Sequence, residues 1–342
     1  NSPASTSAPA LRFPGFTEPW RKCFISQLGD IITGNTPSTK QSENYSEDGY
    51  LWASPSDLNV TKYVYDTKTR LSQIGFQKTR IIPKHSILVT CIGSTIGKMG
   101  MASTVMSTNQ QINAVVVNSS FDKDFVYYAI QSRFPKYLSS IAVQAVPILS
   151  KSTFCELENY YPSKIEQTKI GELLSLLDER IATQRRLIEK LKTLIKGIVV
   201  FHFNNSNTKK TITIKNLGEA YSVGNLSKDD LSEYGKPCII YGELFTTYGC
   251  VASKIQSRTN KYTQATLSKA GDILFPASTT VDAISLIAPT SLQTNGVYVA
   301  GDMFGIHILP QFNSEYISYL LNYVYNRVLS KYAQGSTIIH LH

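Results

Sequence analysis

The chain has 342 residues, 42% of them hydrophobic, so it is long enough for two domains with substantial cores, and wholesale disorder is excluded. Its 34 lysines and arginines outnumber its 25 aspartates and glutamates, and the resulting net charge of +9 favours a polyanionic partner such as nucleic acid. The sequence contains no run of about 18 apolar residues, so it predicts no membrane-spanning helix.

The cysteines and the N-terminal residues indicate a cytoplasmic protein. The five cysteines are odd in number and scattered, and they form no Cys-x-x-Cys pair, which predicts reduced thiols rather than disulfides or a zinc site. The histidines are equally dispersed, so the sequence predicts no metal site. Residues 1–10 are rich in Ser, Ala and Pro and have no apolar core, and we expect a disordered leader rather than an export signal.

Residues 11–160 alternate between β-type and α-type patterns. A short helix is predicted near Ser26–Thr33, where it ends at Gly34, and a polar loop continues to Lys40. Runs rich in β-branched residues predict strands at Tyr50–Ala53, Ile87–Ile92 and Ile112–Val117. An amphipathic helix is expected near Asp124–Ser140. The first part of the chain is therefore a mixed α/β domain.

A long helix is predicted over residues 161–204, most clearly from Lys164 to Phe203. Apolar residues recur there with an unbroken spacing of three and four, the pattern of a coiled coil. The seam consists of Ile170, Leu174, Leu177, Ile181, Gln184, Ile188, Leu191 and Ile195. At 1.5 Å per residue, roughly 40 residues would reach about 60 Å. A helix of that length extends beyond a small domain and needs a partner.

Residues 205–342 repeat the first pattern in the same order. Ile25-x-x-Leu28-Gly29-Asp30 is echoed by Ile214-x-x-Leu217-Gly218-Glu219, and Asp124-Phe125-Val126 by Glu315-Tyr316-Ile317. The second copy is expected to contain strands near Ile239, Ile273 and Gly305–Leu309, and a helix near Ser314–Tyr332. The chain ends at His342, where a second connector and long helix would begin.

Two similar α/β domains joined by one long helix resemble the specificity subunits of type I restriction–modification systems. The resemblance is strongest in the segments Pro162-Ser163-Lys164-Ile165-Glu166-Gln167-Thr168-Lys169-Ile170 and Leu176-Leu177-Asp178-Glu179-Arg180-Ile181. The loop motifs Leu28-Gly29-Asp30, Gly34-Asn35-Thr36-Pro37-Ser38 and Thr108-Asn109-Gln110-Gln111 are also similar to that family. The similarity extends over nearly the whole chain from about Leu11.

The resemblance implies a non-catalytic subunit with target-recognition domains at 11–160 and 205–342 and a spacer helix at 161–204. Each domain would read one half of a split sequence in double-stranded DNA. The helix would set the gap between the halves and hold modification (methyltransferase) subunits and, through them, restriction subunits. This sequence departs from the family pattern because it ends before a second conserved helix. The apolar face is therefore expected to pair with another copy of itself, as an antiparallel homodimer, or with helices of a modification subunit.

Basic and polar loop residues are the candidates for DNA contacts. Lys and Arg bind phosphates or guanine, whereas Asn and Gln pair with adenine in the major groove. The candidates in the first domain are Lys40, Lys62, Ser94, Thr95, Lys98, Asn109, Gln110 and Gln111. Those in the second domain are Lys254, Arg258, Lys261, Ser278, Thr279 and Thr280. Two interpretations of Asn109–Gln111 are open, because the three residues can contact bases or cap the turn before the next strand.

The sequence contains no assembled catalytic motif. A methyltransferase would need a glycine-rich cofactor loop and an Asn/Asp-Pro-Pro-aromatic site. The segment Gly93–Lys98 is similar to a phosphate-binding loop, but three residues separate its glycines instead of four, and Met99 replaces the Ser or Thr that would hold magnesium. We therefore predict no catalytic residue and no cofactor. The alternatives are a stand-alone nuclease or methyltransferase, and a helix-mediated scaffold that does not bind DNA.

Overall fold

The computed structural model describes residues 9, 11–139, 148–206 and 211–341. The chain divides into two compact units, which we call unit 1 (Asn1–Leu187) and unit 2 (Ile188–His342). Apart from residue 9, the predicted disordered leader lies outside the described residues. Within the described ranges, none of the helices has the length and apolar character needed to cross a bilayer.

Unit 1 combines strands and helices in alternation. Its strands are β1 (Arg21–Phe24), β2 (Gly29–Thr33), β3 (Tyr45–Ala53), β4 (Tyr63–Val64), β5 (Thr69–Leu71), β6 (Ile87–Thr90), β7 (Met99–Ala102), β8 (Ser107–Thr108), β9 (Ile112–Val117) and β10 (Glu158–Tyr161). Its helices are α1 (Ile25–Leu28), α2 (Gln73–Gln77), α3 (Lys123–Ser139), α4 (Lys151–Cys155) and the first part of α5 (Lys164–Asn205). The long helix is confirmed, close to its predicted limits.

A five-stranded sheet forms the centre of unit 1. Its order is β2-β9-β6-β7-β4, and a smaller sheet has the order β5-β3-β8. The side chains of β6 alternate between the two faces of the larger sheet. Ile87 and Val89 pack with residues of α3, whereas Leu88 packs with Leu51 and Ala53 of β3. Because both faces are covered, β6 reads in the sequence as a continuous apolar run.

Unit 2 contains a second set of the same kinds of element. Its strands are β11 (Gly218–Ser222), β12 (Leu231–Ser232), β13 (Lys236–Ile240), β14 (Val251–Ala252), β15 (Ser257–Thr259), β16 (Thr266–Ser268), β17 (Asp272–Pro276), β18 (Ser278–Thr279), β19 (Thr290–Leu292), β20 (Val297–Ala300), β21 (Met303–Ile308) and β22 (Ile339–His340). Its helices are the rest of α5, then α6 (Glu243–Thr246), α7 (Ser314–Tyr323) and α8 (Asn326–Leu329).

The sheets of unit 2 repeat the topology of unit 1. The order β11-β21-β17-β19-β14 corresponds strand for strand to the five-stranded sheet of unit 1. In the second sheet of unit 2, β13 is antiparallel to β15 and parallel to β20. In unit 1, β3 is likewise antiparallel to β5 and parallel to β8. Two backbone hydrogen bonds also correspond between the units, since Leu149 N donates to Cys91 O and Leu341 N to Ala277 O, both at 2.8 Å. The predicted repeat is therefore present in the fold.

The helix predicted near Ser26–Thr33 is wrong beyond Leu28. The chain forms only α1 there and continues as β2, which pairs with β9 from Gly29↔Val117 to Thr33↔Asn113. Gly29 allows this pairing, because a Cβ atom at its position would lie 2.1 Å from Val116 O. The β-branched residues after Gly29 then extend the strand.

The helix predicted over Ser314–Tyr332 is also shorter than expected. The helix α7 ends at Tyr323, and the short α8 and a 3₁₀ turn at Ser330–Tyr332 follow. The backbone nitrogens of Val324 and Tyr325 both donate to Leu320 O, so the regular series of hydrogen bonds stops there. By contrast, the strand Ile112–Val117 has the predicted limits, and α3 differs by one residue at its start.

The repeated glycine of β11 gives a stability prediction. A Cβ at Gly218 would lie 1.9 Å from His307 O, so Gly218→Ala must push β11 away from β21. We expect the substitution to lower the free energy of unfolding of unit 2 by about 1–3 kcal/mol. Urea titration followed by far-UV circular dichroism measures the loss.

The matched control is Gly242→Ala in the same unit. Gly242 has φ −62° and ψ −26°, and a Cβ there meets nothing within 4 Å. Alanine at that position should leave unit 2 equally stable or stabilise it by up to about 1 kcal/mol. Equal losses in the two variants would contradict the role assigned to Gly218.

Candidate nucleic-acid interface

Three loops of unit 1 meet at one end of its five-stranded sheet. They are residues 34–41 after β2, residues 91–98 between β6 and β7, and residues 109–111 before β9. We call them the unit 1 loop cluster. The strand register places them together, because Thr33 pairs with Asn113 and Thr90 with Ile112. Direct hydrogen bonds join the loops, from Thr36 Oγ1 to Gln110 Oε1 at 2.6 Å and from Gln111 Nε2 to Ile92 O at 3.3 Å.

Asn109 caps the turn that precedes β9. Its side chain is buried, with 7% of the residue exposed. Its Oδ1 accepts a hydrogen bond from Gln111 N at 3.1 Å, and its Nδ2 donates to Gln111 Oε1 at 2.9 Å. Gln110 is exposed beside them, with its amide held by Thr36. The geometry therefore favours the capping interpretation for Asn109 and leaves Gln110 facing solvent.

The turn from Gly93 to Lys98 is anchored on helix α3. Gly97 has φ +90°, a left-handed conformation that favours glycine. A Cβ at Gly97 would also lie 2.7 Å from the ring of Phe134, so the turn approaches α3 closely. Ser94 is exposed at its tip, and Thr95 and Lys98 are half-buried. Lys40, in the first loop of the cluster, is exposed.

Lys62 lies in the interior of unit 1 instead of on a loop surface. Only 8% of its side chain is exposed, and its Nζ lies 2.7 Å from Asp124 Oδ1. Burial raises the pKa of Asp124, but hydrogen bonds from Lys123 and Lys62 outweigh burial and hold that pKa below its usual value. An ammonium group that neutralises a partly buried carboxylate is not free to bind a phosphate. We therefore leave Lys62 out of the proposed DNA contacts.

Sequence reasoning missed Arg80, which lies beside the first loop of the unit 1 loop cluster. Arg80 is exposed, and its Nη1 donates to Thr33 O at 2.7 Å, at the end of β2. The side chain of Asn35 accepts from Arg80 N at 2.7 Å and thereby fixes the backbone beside it. The available signal was the closely spaced pair Lys78 and Arg80 in an otherwise weakly charged segment.

In unit 2, Arg258 and Lys261 come together around the loop at 227–235. Lys261 Nζ lies 2.5 Å from Asp230 Oδ1, and Arg258 Nη1 donates to Gly235 O at 3.0 Å. The hydrogen bond from Lys261, followed by those from Ser227, lowers the pKa of Asp230 to about 2. Asp230 is thus a carboxylate at neutral pH, and it orients a lysine that remains exposed.

The other candidates of unit 2 are spread over both ends of its five-stranded sheet. Lys254 is exposed and follows β14. Gln293 N donates to Ala252 O at the end of β14, and Gly271 N donates to Leu292 O just before β17. The end of β14 therefore lies near the start of β17. Ser278 follows the opposite end of β17 and is buried in the pairing of β18 with β22. Thr279 is half-buried, whereas Thr280 is exposed. The structure therefore does not bring Lys254 together with Ser278–Thr280.

The apolar face of α5 is covered only over its first turns. Ile170 packs against the core of unit 1, and Leu174 is half-buried. From Leu177 onward the seam residues are exposed, and the exposed fractions of the apolar ones lie between 39% for Ile195 and 49%. The exposed members are Leu177, Ile181, Gln184, Ile188, Leu191 and Ile195.

Two substitutions in the unit 1 loop cluster distinguish a residue that caps a turn from a residue that is available to contact DNA. Asn109→Ala leaves Gln111 N without its partner, and we expect it to lower the free energy of unfolding of unit 1 by about 1–3 kcal/mol. Gln110→Ala should change that free energy by less than about 0.5 kcal/mol, because Gln110 is exposed. Both tryptophans, Trp20 and Trp52, lie in unit 1, so their fluorescence during urea unfolding measures the difference. A larger loss for Gln110→Ala would reverse the two roles.

Comparison with known proteins identifies relatives that align with about half of the chain. The specificity subunit of the type I restriction enzyme HindI from Haemophilus influenzae is 33% identical over 179 residues, which cover 50% of this chain and 39% of that subunit. The specificity subunit of the type I restriction enzyme MjaIX from Methanocaldococcus jannaschii is 30% identical over 181 residues, with coverages of 51% and 41%. The alignments therefore span less than half of each of these curated relatives.

A solved structure and a family model extend the comparison. The type I restriction-modification system S subunit from M. genitalium has a similar fold, with a TM-score of 0.62 over 93% of this chain and 80% of that one, at 17% sequence identity. Residues 17–193, more than half of the chain, match the model of the type I restriction modification DNA specificity domain. The chain therefore belongs to the family of type I restriction–modification DNA specificity proteins.

Proposed function

We propose that this chain is the sequence-specific DNA-recognition subunit of a type I restriction–modification complex and carries no catalytic site of its own. The observation that carries the proposal is the repeated sheet topology in a chain that belongs to this family. Each unit supports its own set of polar and basic loops, and two different sets suit two different half-sites. The partner would be double-stranded DNA in the cytoplasm.

In unit 1, the loop cluster and the adjacent Arg80 have both kinds of side chain that DNA recognition needs, cations for phosphates and polar groups for bases. Lys40, Lys98 and Arg80 supply cations for phosphates, which fix the register of a protein on the duplex. Gln110, Ser94 and Thr95 supply polar side chains for base edges, and a glutamine amide can pair bidentately with adenine. Gln111 and Asn109 hold the shape of the turn that presents Gln110.

In unit 2, Arg258 and Lys261 form a basic pair next to the loop at 227–235, and Lys254 adds a third exposed cation. Thr280 and Thr279 are the polar candidates at the other end of the sheet. The two units support their loops differently, with an asparagine cap in unit 1 and the Asp230–Lys261 ion pair in unit 2. This difference supports the proposal that each unit reads its own half-site.

The helix α5 completes the proposed function. It is continuous from Lys164 to Asn205, and it joins the two units covalently. We propose that its length sets the gap between the half-sites and that its exposed apolar face docks modification subunits, through which restriction subunits join. A homodimer through the same face is the second possible partner arrangement.

Determining the DNA motif that the complex methylates tests the proposed function directly. Cells that express the chain with modification subunits should carry methylation at a bipartite sequence with one fixed gap, because two linked domains read two separated half-sites. Sequencing of methylated genomic sites measures both half-sites and the gap, and cells without the chain are the control. A single uninterrupted motif would contradict the proposal.

The basic residues of unit 2 give a second test. Replacing Lys254, Arg258 and Lys261 with alanine should weaken DNA binding and make the dependence of log K on log salt less steep, by about 0.9 for each phosphate contact that is lost. Binding measured across a salt series, with the full chain and a duplex that contains the methylated motif, gives the slope.

The matched control also removes two lysines and one arginine from unit 2. Lys215, Arg327 and Lys331 are exposed like the three candidates. They lie outside the proposed contacts, so their replacement with alanine should change the net charge equally and leave the slope nearly as steep as in the wild type. Equal slopes for the two triple variants would show that overall charge, rather than Lys254, Arg258 and Lys261, determines the binding.

A further inference from the structure

We propose that hydrogen bonds from Lys62 and Tyr128 to the long helix form a latch that fixes the direction of the helix, and that this latch helps to select the gap between the half-sites. The inference rests on the proposed function and deepens it. It gives a role in specificity to residues that lie away from the DNA-contacting loops.

The first turns of α5 are seated against the N-terminal end of α3. A Cβ at Gly171 would lie 2.6 Å from Asp122 Oδ1 and 2.9 Å from Phe125 N, so the helix approaches α3 as closely as a glycine permits. Gln167 Oε1 accepts from Asp122 N at 2.9 Å. These contacts fix the position of the helix at one point, but contacts farther along are needed to fix its direction.

The latch supplies those contacts about one and two turns farther along the helix, at Ser175 and Asp178. Lys62 Nζ donates to Ser175 Oγ at 2.7 Å, and Tyr128 OH donates to Asp178 Oδ2 at 2.6 Å. The two donors are joined, since Lys62 Nζ also donates to Tyr128 OH at 3.2 Å and lies 4.4 Å from the centre of its ring. The latch therefore connects the chain before β4, the helix α3 and the long helix.

The body of unit 1 holds the latch in a single arrangement. The ion pair between Lys62 and Asp124 is largely shielded, because the exposed fractions of the two side chains are 8% and 18%. Burial, followed by the hydrogen bond to Asp178, raises the pKa of Tyr128, so its hydroxyl stays protonated and remains a donor. Hydrogen bonds between partly buried and charged groups are among the stronger ones in proteins.

Small changes in the direction of the helix are amplified along its length. Between Asp178 and Asn205 the helix continues for about 40 Å, since each residue adds 1.5 Å. A rotation of about 5° at the latch would therefore move the far end of the helix by about 3.5 Å, close to the rise of one base pair. Fixing the direction at Ser175 and Asp178 thus restricts the gap that a linked pair of reading domains can accept.

The test is the double variant Tyr128→Phe/Ser175→Ala in the full chain with its modification subunits. It removes both hydrogen bonds to the helix and keeps the Lys62–Asp124 ion pair. Binding is measured to duplexes with both half-sites at the natural gap, at gaps one base pair shorter and longer, and with the unit 1 half-site alone. We expect the preference for the natural gap to fall about tenfold, the effect of losing one or two hydrogen bonds. Affinity for the single half-site should stay within about twofold of the wild type.

Two further variants serve as controls. Tyr65→Phe/Ser104→Ala makes the same two chemical changes at exposed residues of unit 1 and should keep the wild-type preference for the gap. Ser175→Thr retains a hydroxyl group for Lys62, and it should keep that preference as well. A loss of stability alone would weaken binding to all the duplexes equally. Loss of the latch instead changes the ratio of the affinities for duplexes with different gaps.

The outcomes separate the inference from the proposed function. If the wild type prefers one gap and the double variant prefers it equally, the latch is overturned while the proposed function stands. If the double variant also loses binding to the single half-site, the latch cannot be separated from the fold of unit 1, which overturns the inference as well. A wild type that shows no preference among gaps overturns the proposed function and the latch with it.

Discussion

The long helix depends on one close approach, the contact of Gly171 with the N-terminal end of α3. A side chain at this position would collide with Asp122 and with the backbone of Phe125, so the helix could not lie as it does. The buried ion pair of Arg12 with Glu166 is formed beside it, with two hydrogen bonds of 2.9 and 2.7 Å. A bidentate pair of this kind is costly to break, because the remaining carboxylate would be buried without a partner. The start of the helix is consequently a fixed part of unit 1.

The same device, a glycine in close contact with a neighbouring backbone, is used again within each sheet. Gly29 faces Val116 and Gly218 faces His307 at corresponding places in the two units. A repeated glycine therefore marks a repeated steric requirement, whereas the loops around it differ. The strands have the same geometry in the two units. The loops need only connect the ends of those strands, so the two units differ chemically in their loops.

The sequence was informative where a local pattern determines the structure. The seven-residue repeat of α5 and the β-branched run of β9 gave nearly the observed limits, because periodicity and propensity agree there. The segment after Leu28 was predicted as a helix and is a strand, because its pairing with β9 depends on residues 80 to 88 positions away. Long-range pairing overrides local preference at such positions.

The candidate site was predictable only in part, for a related reason. A lysine in a loop has the same local sequence whether it binds a phosphate or a buried carboxylate. Lys62 finds its partners in Asp124 and Ser175, both far away in the chain, and no local pattern shows this. Arg80 was missed for the same reason, since its position beside Thr33 depends on how the chain folds over the 47 positions that separate them. The difference between the buried Asn109 and the exposed Gln110 was not predicted either, because both interpretations of Asn109–Gln111 were open.

The exposed face of α5 restricts the kind of partner that can cover it. The seam from Leu177 to Ile195 is flanked by Leu187 and Leu194, with exposed fractions of 49% and 58%. Exposed apolar residues in this number along one helix support the interaction proposed for this face. A single partner helix would cover the seam, where Gln184 can fix the register, but would leave the flanking leucines in water. We therefore favour a partner that presents more than one helix, and helices of a modification subunit meet that requirement better than one antiparallel copy of α5.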